Sequence, residues 1–218
     1  RNFRIGDTRI LISYGQPKFY TTFQEIFFQI DPVEGELLVG IYKIRIRARK
    51  IVEGSYDIYL PTVEEVGAET SFVNPSIDAT LTIPSTAKNV ITVGGYDSVR
   101  GIITDFSGRG YTLSVVYTKP DMVAPAVDIL APSQGGGYSI FSGTSMAAPF
   151  VTGSGALLMQ WGIVQQRDPC LFGDRVQAYL QKGSKRDDKT DYPNNSIGYG
   201  SLCVYDALEQ LWIFNGYI

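Results

Sequence analysis

One serine stands where its hydroxyl could do covalent chemistry. The segment Phe141-Ser142-Gly143-Thr144-Ser145-Met146-Ala147-Ala148-Pro149 puts Ser145 at the junction of a tight glycine turn and the start of an apolar helix. A helix start presents unbonded backbone N–H groups and the positive end of the dipole, so an oxyanion forming beside Ser145 would be stabilised there. A serine that merely caps a helix gives the same local pattern with no catalysis. The G-x-S-x-G elbow does not fit, because Ala147 stands where its last glycine would be. A serine alcohol is also a poor nucleophile unless a base takes its proton as it attacks. The 218 residues contain no histidine, so neither an imidazole base nor an imidazole metal site can be completed within them.

The other chemistry-bearing residue types read as structural. Cys170 and Cys203 are too few for a disulfide scaffold and are not spaced like zinc ligands; either both are small packing residues or they form one disulfide. Asp187, Asp188 and Asp191 resemble a solvated loop more than a spaced calcium-ligand set, so no metal and no cofactor is expected. Asn194-Asn195-Ser196 is a formal glycosylation sequon and reads as a chance match. With 19 basic against 22 acidic residues the net charge is -3, which gives no pull toward nucleic acid or an anionic membrane. Lys43, Arg45, Arg47 and Arg49 form a basic stripe, but like charges on a solvated strand face protect an edge from aggregation more often than they bind polyanions.

Two kinds of element have to hold that serine. The first 70 or so residues alternate with period two between turn signals such as Tyr14-Gly15-Gln16-Pro17 and Asp31-Pro32-Val33-Glu34-Gly35, which predicts antiparallel β structure of sandwich or jelly-roll type. Ile41 to Ile51 and Gly54 to Leu60 are expected strands within it, and residues 63–82 a turn-rich link. Further on, Val90 to Gly95 is a continuous β-branched run ending in glycines, the pattern of a strand buried on both faces, and it shifts the expectation to α/β.

No charged residue occurs between Asp128 and Arg167, which predicts that this stretch is core. It contains a loop at Gly135-Gly136-Gly137, a strand from Tyr138 to Phe141 and a helix from Met146 to about Trp161 expected to be buried all round, with Pro149 tolerated near its start. Its Ser, Thr, Gly, Gln and Pro content argues against a membrane span. Helices are also expected near Asp174 to Gln181, ending at Gly183, and near Tyr205 to Leu211, with a charged surface loop from Lys185 to Asn195 between them. The opening Arg1-Asn2-Phe3-Arg4 has no charged-then-apolar leader, so the chain reads as an internal piece of a longer one.

Gly143-Thr144-Ser145-Met146-Ala147-Ala148-Pro149, followed by Val151 and Gly153, resembles the serine motif of subtilisin-like proteases. The resemblance extends through Val90-Ile91-Thr92-Val93-Gly94, Asp105-Phe106-Ser107-Gly108-Arg109-Gly110 and Lys119-Pro120-Asp121-Met122-Val123-Ala124-Pro125, in the order such proteases carry them. It implies an α/β subtilisin-like fold, a parallel sheet with helices, of which this chain holds the C-terminal half. It also implies that Ser145 is the acyl-transfer nucleophile and its backbone N–H an oxyanion donor, with Thr144 and Gly143 in support and Ser139 to Ser142 either lining the leaving-group side or flanking the cleft.

A narrower resemblance, to clostridial Csp-type germination proteases, rests on Trp161-Gly162-Ile163-Val164, Tyr192-Pro193-Asn194 and Gly198-Tyr199-Gly200-Ser201-Leu202-Cys203. Those proteases carry a β jelly-roll inserted between the triad histidine and serine. Gly54 to Pro61 and Leu81 to Ala87 sit where the insert would end and the protease resume. The implied organisation is residues 1–72 as part of the jelly-roll insert and 73–218 as the C-terminal half of the catalytic domain.

In such proteases the triad Asp and His and the oxyanion Asn precede the insert, and no corresponding segment is present in these residues. Asp105 and Asp121 fall in motifs that look structural, and Phe150 replaces a histidine that is not the catalytic base. The expectation is therefore a serine endopeptidase acting on proteins or peptides, inactive as this piece alone and folding only in part unless the missing N-terminal part, a docked cleaved chain or a propeptide accompanies it. The alternative is a catalytically dead pseudoprotease acting as a binding or signalling module. The resemblance places either outside the cell or in bacterial spores.

Overall fold

The computed structural model describes residues 1–16, 24–47, 54, 56–61, 63–111, 118–214 and 216. They fall into two compact units, Arg1–Tyr56 and Asp57–Ile218.

The first unit contains a three-stranded antiparallel sheet of β1 (Asn2–Ile5), β2 (Thr8–Gly15) and β3 (Glu25–Pro32), in the order β1-β2-β3. A two-residue turn with Gly6 at φ 58° joins β1 to β2. The register places Phe3 opposite Ile10 and Ile10 opposite Ile30, and Ile12 opposite Phe28. Because side chains alternate across a strand, one face collects these residues with Ile5, Tyr14 and Ile26, while Arg4, Arg9, Gln29 and Asp31 occupy the other. Arg9 and Asp31 pair across the polar face at 3.1 Å. The expected strand at Ile41 to Ile51 is absent over its described part: Ile41–Arg47 is exposed chain outside any ladder, and residues 48–51 lie outside the described residues. Tyr56–Leu60 forms no strand either. Alternation makes a segment competent to lie on a sheet, but a strand also needs a neighbour for its N–H and C=O groups, and neither segment has one among the described residues.

The second unit opens with α1 (Val63–Val66) and then builds around β4 (Val93–Asp97). Parallel β6 (Met122–Pro125) flanks β4 on one side, and two-residue antiparallel β5 (Ile102–Ile103) on the other. The strand begins later than Val90, because the ladder with β6 starts only after Lys119-Pro120; ahead of it Thr92 N donates to the Asp121 carboxylate at 2.6 Å and Thr92 Oγ1 to the Ser85 carbonyl at 2.6 Å. A hairpin of β7 (Ile129–Pro132) and β8 (Tyr138–Phe141) follows, its tip formed by Gly135, Gly136 and Gly137, all at positive φ.

α2 (Thr144–Met159) runs into a π turn at Gln160–Val164, and α3 (Asp174–Lys182) and α4 (Val204–Phe214) complete the unit. Met122, Ala147, Leu158, Leu171, Leu180 and Leu211 meet in the core with no exposed area. Both C-terminal helices fall where the 3.6-residue pattern puts them, and Gly183 ends α3.

α2 departs from expectation. Ala147, Val151, Ser154, Gly155 and Leu158 are buried, but Phe150 is 41% and Leu157 49% exposed, and Gly153 and Ala156 are exposed as well. The helix is apolar on all sides and covered on one. The hairpin also corrects the reading of residues 128–167 as core, since Leu130, Tyr138 and Ile140 are exposed. The segment Thr144–Val164 is long and apolar enough to cross a membrane, but Ala147, Val151, Leu158 and Trp161 pack it into the core of this unit.

Candidate active site

Ser145 is the second residue of α2 and is exposed. The helix is capped by Gly143, at φ 148° and ψ 161°, without a side-chain cap, so the plain N-cap reading of Ser145 does not hold. A φ of 148° lies where a Cβ is disfavoured, which is why glycine suits the turn. Three hydrogen bonds fasten this turn. Gly143 N donates to the Ala126 carbonyl at 2.8 Å, Met146 N to the Gly143 carbonyl at 2.9 Å, and Asp128 N to Ser142 Oγ at 3.0 Å. Ala126 immediately follows β6 and hydrogen-bonds Tyr96 of β4 at 2.9 Å, so the serine turn hangs directly from the end of the parallel pair.

The first helical N–H groups have no i−4 carbonyl to bond, which leaves those of Thr144 and Ser145 without an intrahelical acceptor. Pro149, sixth in the helix, has no N–H to return to the Ser145 carbonyl, so the tolerance expected of a first-turn proline gives way to a missing rung beside the serine. No described residue hydrogen-bonds the Ser145 hydroxyl, and the sequence has no histidine to do so. Ser139 is half-buried on β8, while Ser142 spends its hydroxyl on Asp128.

Neither motif aspartate is available as a triad member. Asp121 is buried, with its Oδ2 2.7 Å from Lys119 Nζ and its Oδ1 accepting from Gln177 Nε2 at 2.7 Å and Gln181 Nε2 at 3.0 Å. With Thr92 N this makes four donors, enough to keep a charge inside the fold while tying β6 to α3. Asp105 is exposed, and among the described residues no hydrogen bond joins it to the serine turn.

Both cysteines are free, Cys170 exposed and Cys203 half-buried, so neither the disulfide nor a buried Cys170 is found. Asp187 accepts from Lys189 N at 2.8 Å and from Thr190 Oγ1 at 3.1 Å, and these bonds, the backbone one first, hold its carboxyl below the usual carboxylate range. Among the described residues no three His, Cys, Asp or Glu side chains converge as a metal site. In the sequon, Asn194 Oδ1 accepts from Ser196 N at 3.0 Å and Ile197 N at 2.9 Å, so its amide shapes a turn. The sequence motif located Ser145 at a helix start but gave no sign of the Asp128 N–H and the Ala126 carbonyl that fix its turn. Asp128 left a signal only as the last charge before the uncharged stretch.

Comparison with known proteins gives this geometry a lineage. The subtilase family model matches residues 67–200. The serine protease AprX of Bacillus subtilis (strain 168) is 33% identical over 145 residues, covering 56% of this chain and 30% of that protein. The minor extracellular protease Vpr of the same strain is 30% identical over 116 residues, covering 49% and 14%. The structure of the Clostridium perfringens CspB protease matches with a TM-score of 0.81 at 33% identity, over 97% of this chain and 45% of that one. The chain therefore spans less than half the length of each of these three relatives. By its matched motifs, parallel β4–β6 pair and serine-bearing helix start, this chain belongs to the subtilase family of serine proteases.

Proposed function

We propose that these residues are the C-terminal part of a subtilisin-type serine endopeptidase that hydrolyses peptide bonds in protein substrates through an acyl-enzyme on Ser145. The observation that carries this reading is an exposed Ser145 in the first turn of a helix anchored to the end of β6, with unbonded backbone N–H groups beside its hydroxyl. In the assembled enzyme a histidine from outside these residues takes the serine proton as the hydroxyl oxygen attacks the scissile carbonyl, and returns it to the leaving amine; an aspartate orients that histidine. The Ser145 N–H and an asparagine side chain hold the oxyanion, supported by Thr144 and Gly143. Water then attacks the acyl-enzyme with the same histidine as base, releasing the acid and restoring the serine. Because the base lies elsewhere, residues 1–218 alone turn over no peptide.

The remainder of the catalytic domain is the partner this surface calls for. Phe150 and Leu157 leave one side of α2 uncovered, and β4 has no strand partner beside Val93 on its β5 side among the described residues. Residues 73–218 are accordingly read as the C-terminal catalytic half, and 1–72 as part of a β jelly-roll whose second layer would cover the apolar face of β1-β2-β3. The extracellular placement of Vpr favours secretion here too, with spores as the narrower site.

A fluorophosphonate serine probe, applied to protein expressed from the whole gene and followed by intact mass, tests the reading. The expected result is one adduct on Ser145. No adduct on assembled protein would establish the pseudoprotease instead.

A further inference from the structure

We propose that Asp128 is a specificity-determining residue that favours substrates with an Arg or Lys within three positions of the scissile bond, an inference that rests on the protease reading above. Asp128, with a left-handed backbone at φ 53°, immediately precedes Ile129, which pairs with Phe141, and the 3.0 Å bond from Asp128 N to Ser142 Oγ holds it beside Ser142. Ser145 stands three positions after Ser142, a span of at most about 11 Å, which an extended peptide crosses in about three residues. The Asp128 backbone is therefore held within a few substrate residues of the hydroxyl that attacks.

Three further features make this carboxylate a reader of substrate charge. Asp128 is exposed and belongs to no ion pair among the described residues. It is also the only charge on its stretch of chain, since residues 129–166 contain no Asp, Glu, Lys or Arg, so no cation nearby in sequence answers it. Finally, the hairpin that it opens carries Leu130, Ile140 and Tyr138 on one face, exposed by 66%, 66% and 71%. A peptide lying along that hairpin meets apolar side chains, and the exposed Asp128 stands at the end nearest Ser145. A cationic side chain there gains a carboxylate partner in a site that the bound peptide partly dries, which strengthens the pair relative to open water.

The experiment uses protein from the whole gene and fluorogenic peptides carrying Arg, Ala or Glu at each of three positions on either side of the cleaved bond. The expected result is kcat/KM higher for Arg than for Ala by about three- to tenfold at one of these positions, with the ratio shrinking as salt rises. Asp128→Asn brings that ratio to about one, and Asp128→Lys turns the preference toward Glu. Fluorophosphonate labelling of Ser145 in each variant reports that the serine turn has folded. Labelled wild-type protein with a flat charge preference, or a preference that survives in labelled Asp128→Asn, overturns the assignment of Asp128 and leaves the protease reading standing. Wild-type protein that neither labels nor cleaves any peptide overturns the protease reading and this proposal with it.

Discussion

Residues 2–32 and residues 93–211 are built from comparably apolar segments and end in opposite states. In the first, Phe3, Ile5, Ile10, Ile12, Phe28 and Ile30 share one face of the β1-β2-β3 sheet, yet none is buried. In the second, α2, α3 and α4 contribute to a core that reduces Leu158, Leu180 and Leu211 to zero exposure. Every buried hydrophobic side chain among the described residues lies at Met122 or beyond. A single sheet cannot hide its own face; it needs a second layer about 10 Å away, and the second unit has helices to supply one. Apolar patterning thus specifies which face is competent to be covered, while the cover itself is a separate fact that the pattern does not carry. The exposed side of α2 repeats the lesson inside the second unit.

If the chemistry belongs wholly to the second unit, the largest effect is Ser145→Ala in the whole protein. Loss of the nucleophile from a subtilisin triad costs roughly 10⁶ in kcat, and the same order is expected here in a peptide assay. A variant keeping more than a thousandth of the activity would mean another nucleophile operates. Next come matched core truncations, read by urea unfolding. Leu158→Ala, at zero exposure, should cost about 2–5 kcal/mol. Ile30→Ala, on a side chain already 38% exposed, should cost less than about 1 kcal/mol if that face stays open. A comparable loss at both sites would break the contrast and show that the whole protein covers the first unit's sheet.

How legible each region was in the sequence follows the same division. The helices near Asp174 and Tyr205 and the strand at Tyr138 were readable because local period and end signals such as Gly183 suffice for them. Ser145 was readable from its contiguous motif. Ile41–Arg47 was misread as a strand because its alternation of Tyr42, Ile44 and Ile46 with Lys43, Arg45 and Arg47 describes a surface preference and says nothing of a pairing partner. The burial of α2 was overstated for a related reason: the absence of charge identifies a helix without a polar side and does not say how many of its sides are packed, and here Phe150 and Leu157 are exposed. The bonds of Ala126 and Asp128 to the serine turn could not be seen, since they join residues more than a dozen positions apart and use backbone groups that every residue possesses.

A pair of glycines gives a smaller, cleaner comparison. Gly6 in the first unit and Gly198 in the second both have left-handed backbones, at φ 58° and 62°. A Cβ on Gly6 would meet nothing within 4 Å, whereas one on Gly198 would lie 2.2 Å from the Pro120 carbonyl oxygen. Gly6→Ala should therefore lose only the backbone penalty of about 1–2 kcal/mol. Gly198→Ala adds overpacking of about 1–3 kcal/mol and pushes the 198–202 segment away from β6. Equal losses would mean that the close approach of Gly198 to the backbone before β6 is dispensable.

The smallest effect is a titration. Asp97 closes the turn between β4 and β5: its Oδ1 accepts from Val99 N at 2.9 Å and Arg100 N at 3.1 Å, and its Oδ2 lies 3.3 Å from Arg100 Nη1. The Arg100 backbone bond, with those of Val99 and the guanidinium behind it, outweighs desolvation and lowers the Asp97 pKa. The folded value thus lies below the unfolded one of about 3.9. Its stabilisation is then complete above that pH and is lost as pH falls through the folded value, because the unfolded chain binds the proton first. Asp97→Asn should flatten the acid limb of urea stability below about pH 4. An acid limb that keeps its slope in Asp97→Asn would mean that the backbone donors of this turn, Val99 N and Arg100 N, are not what makes the second unit sensitive to acid.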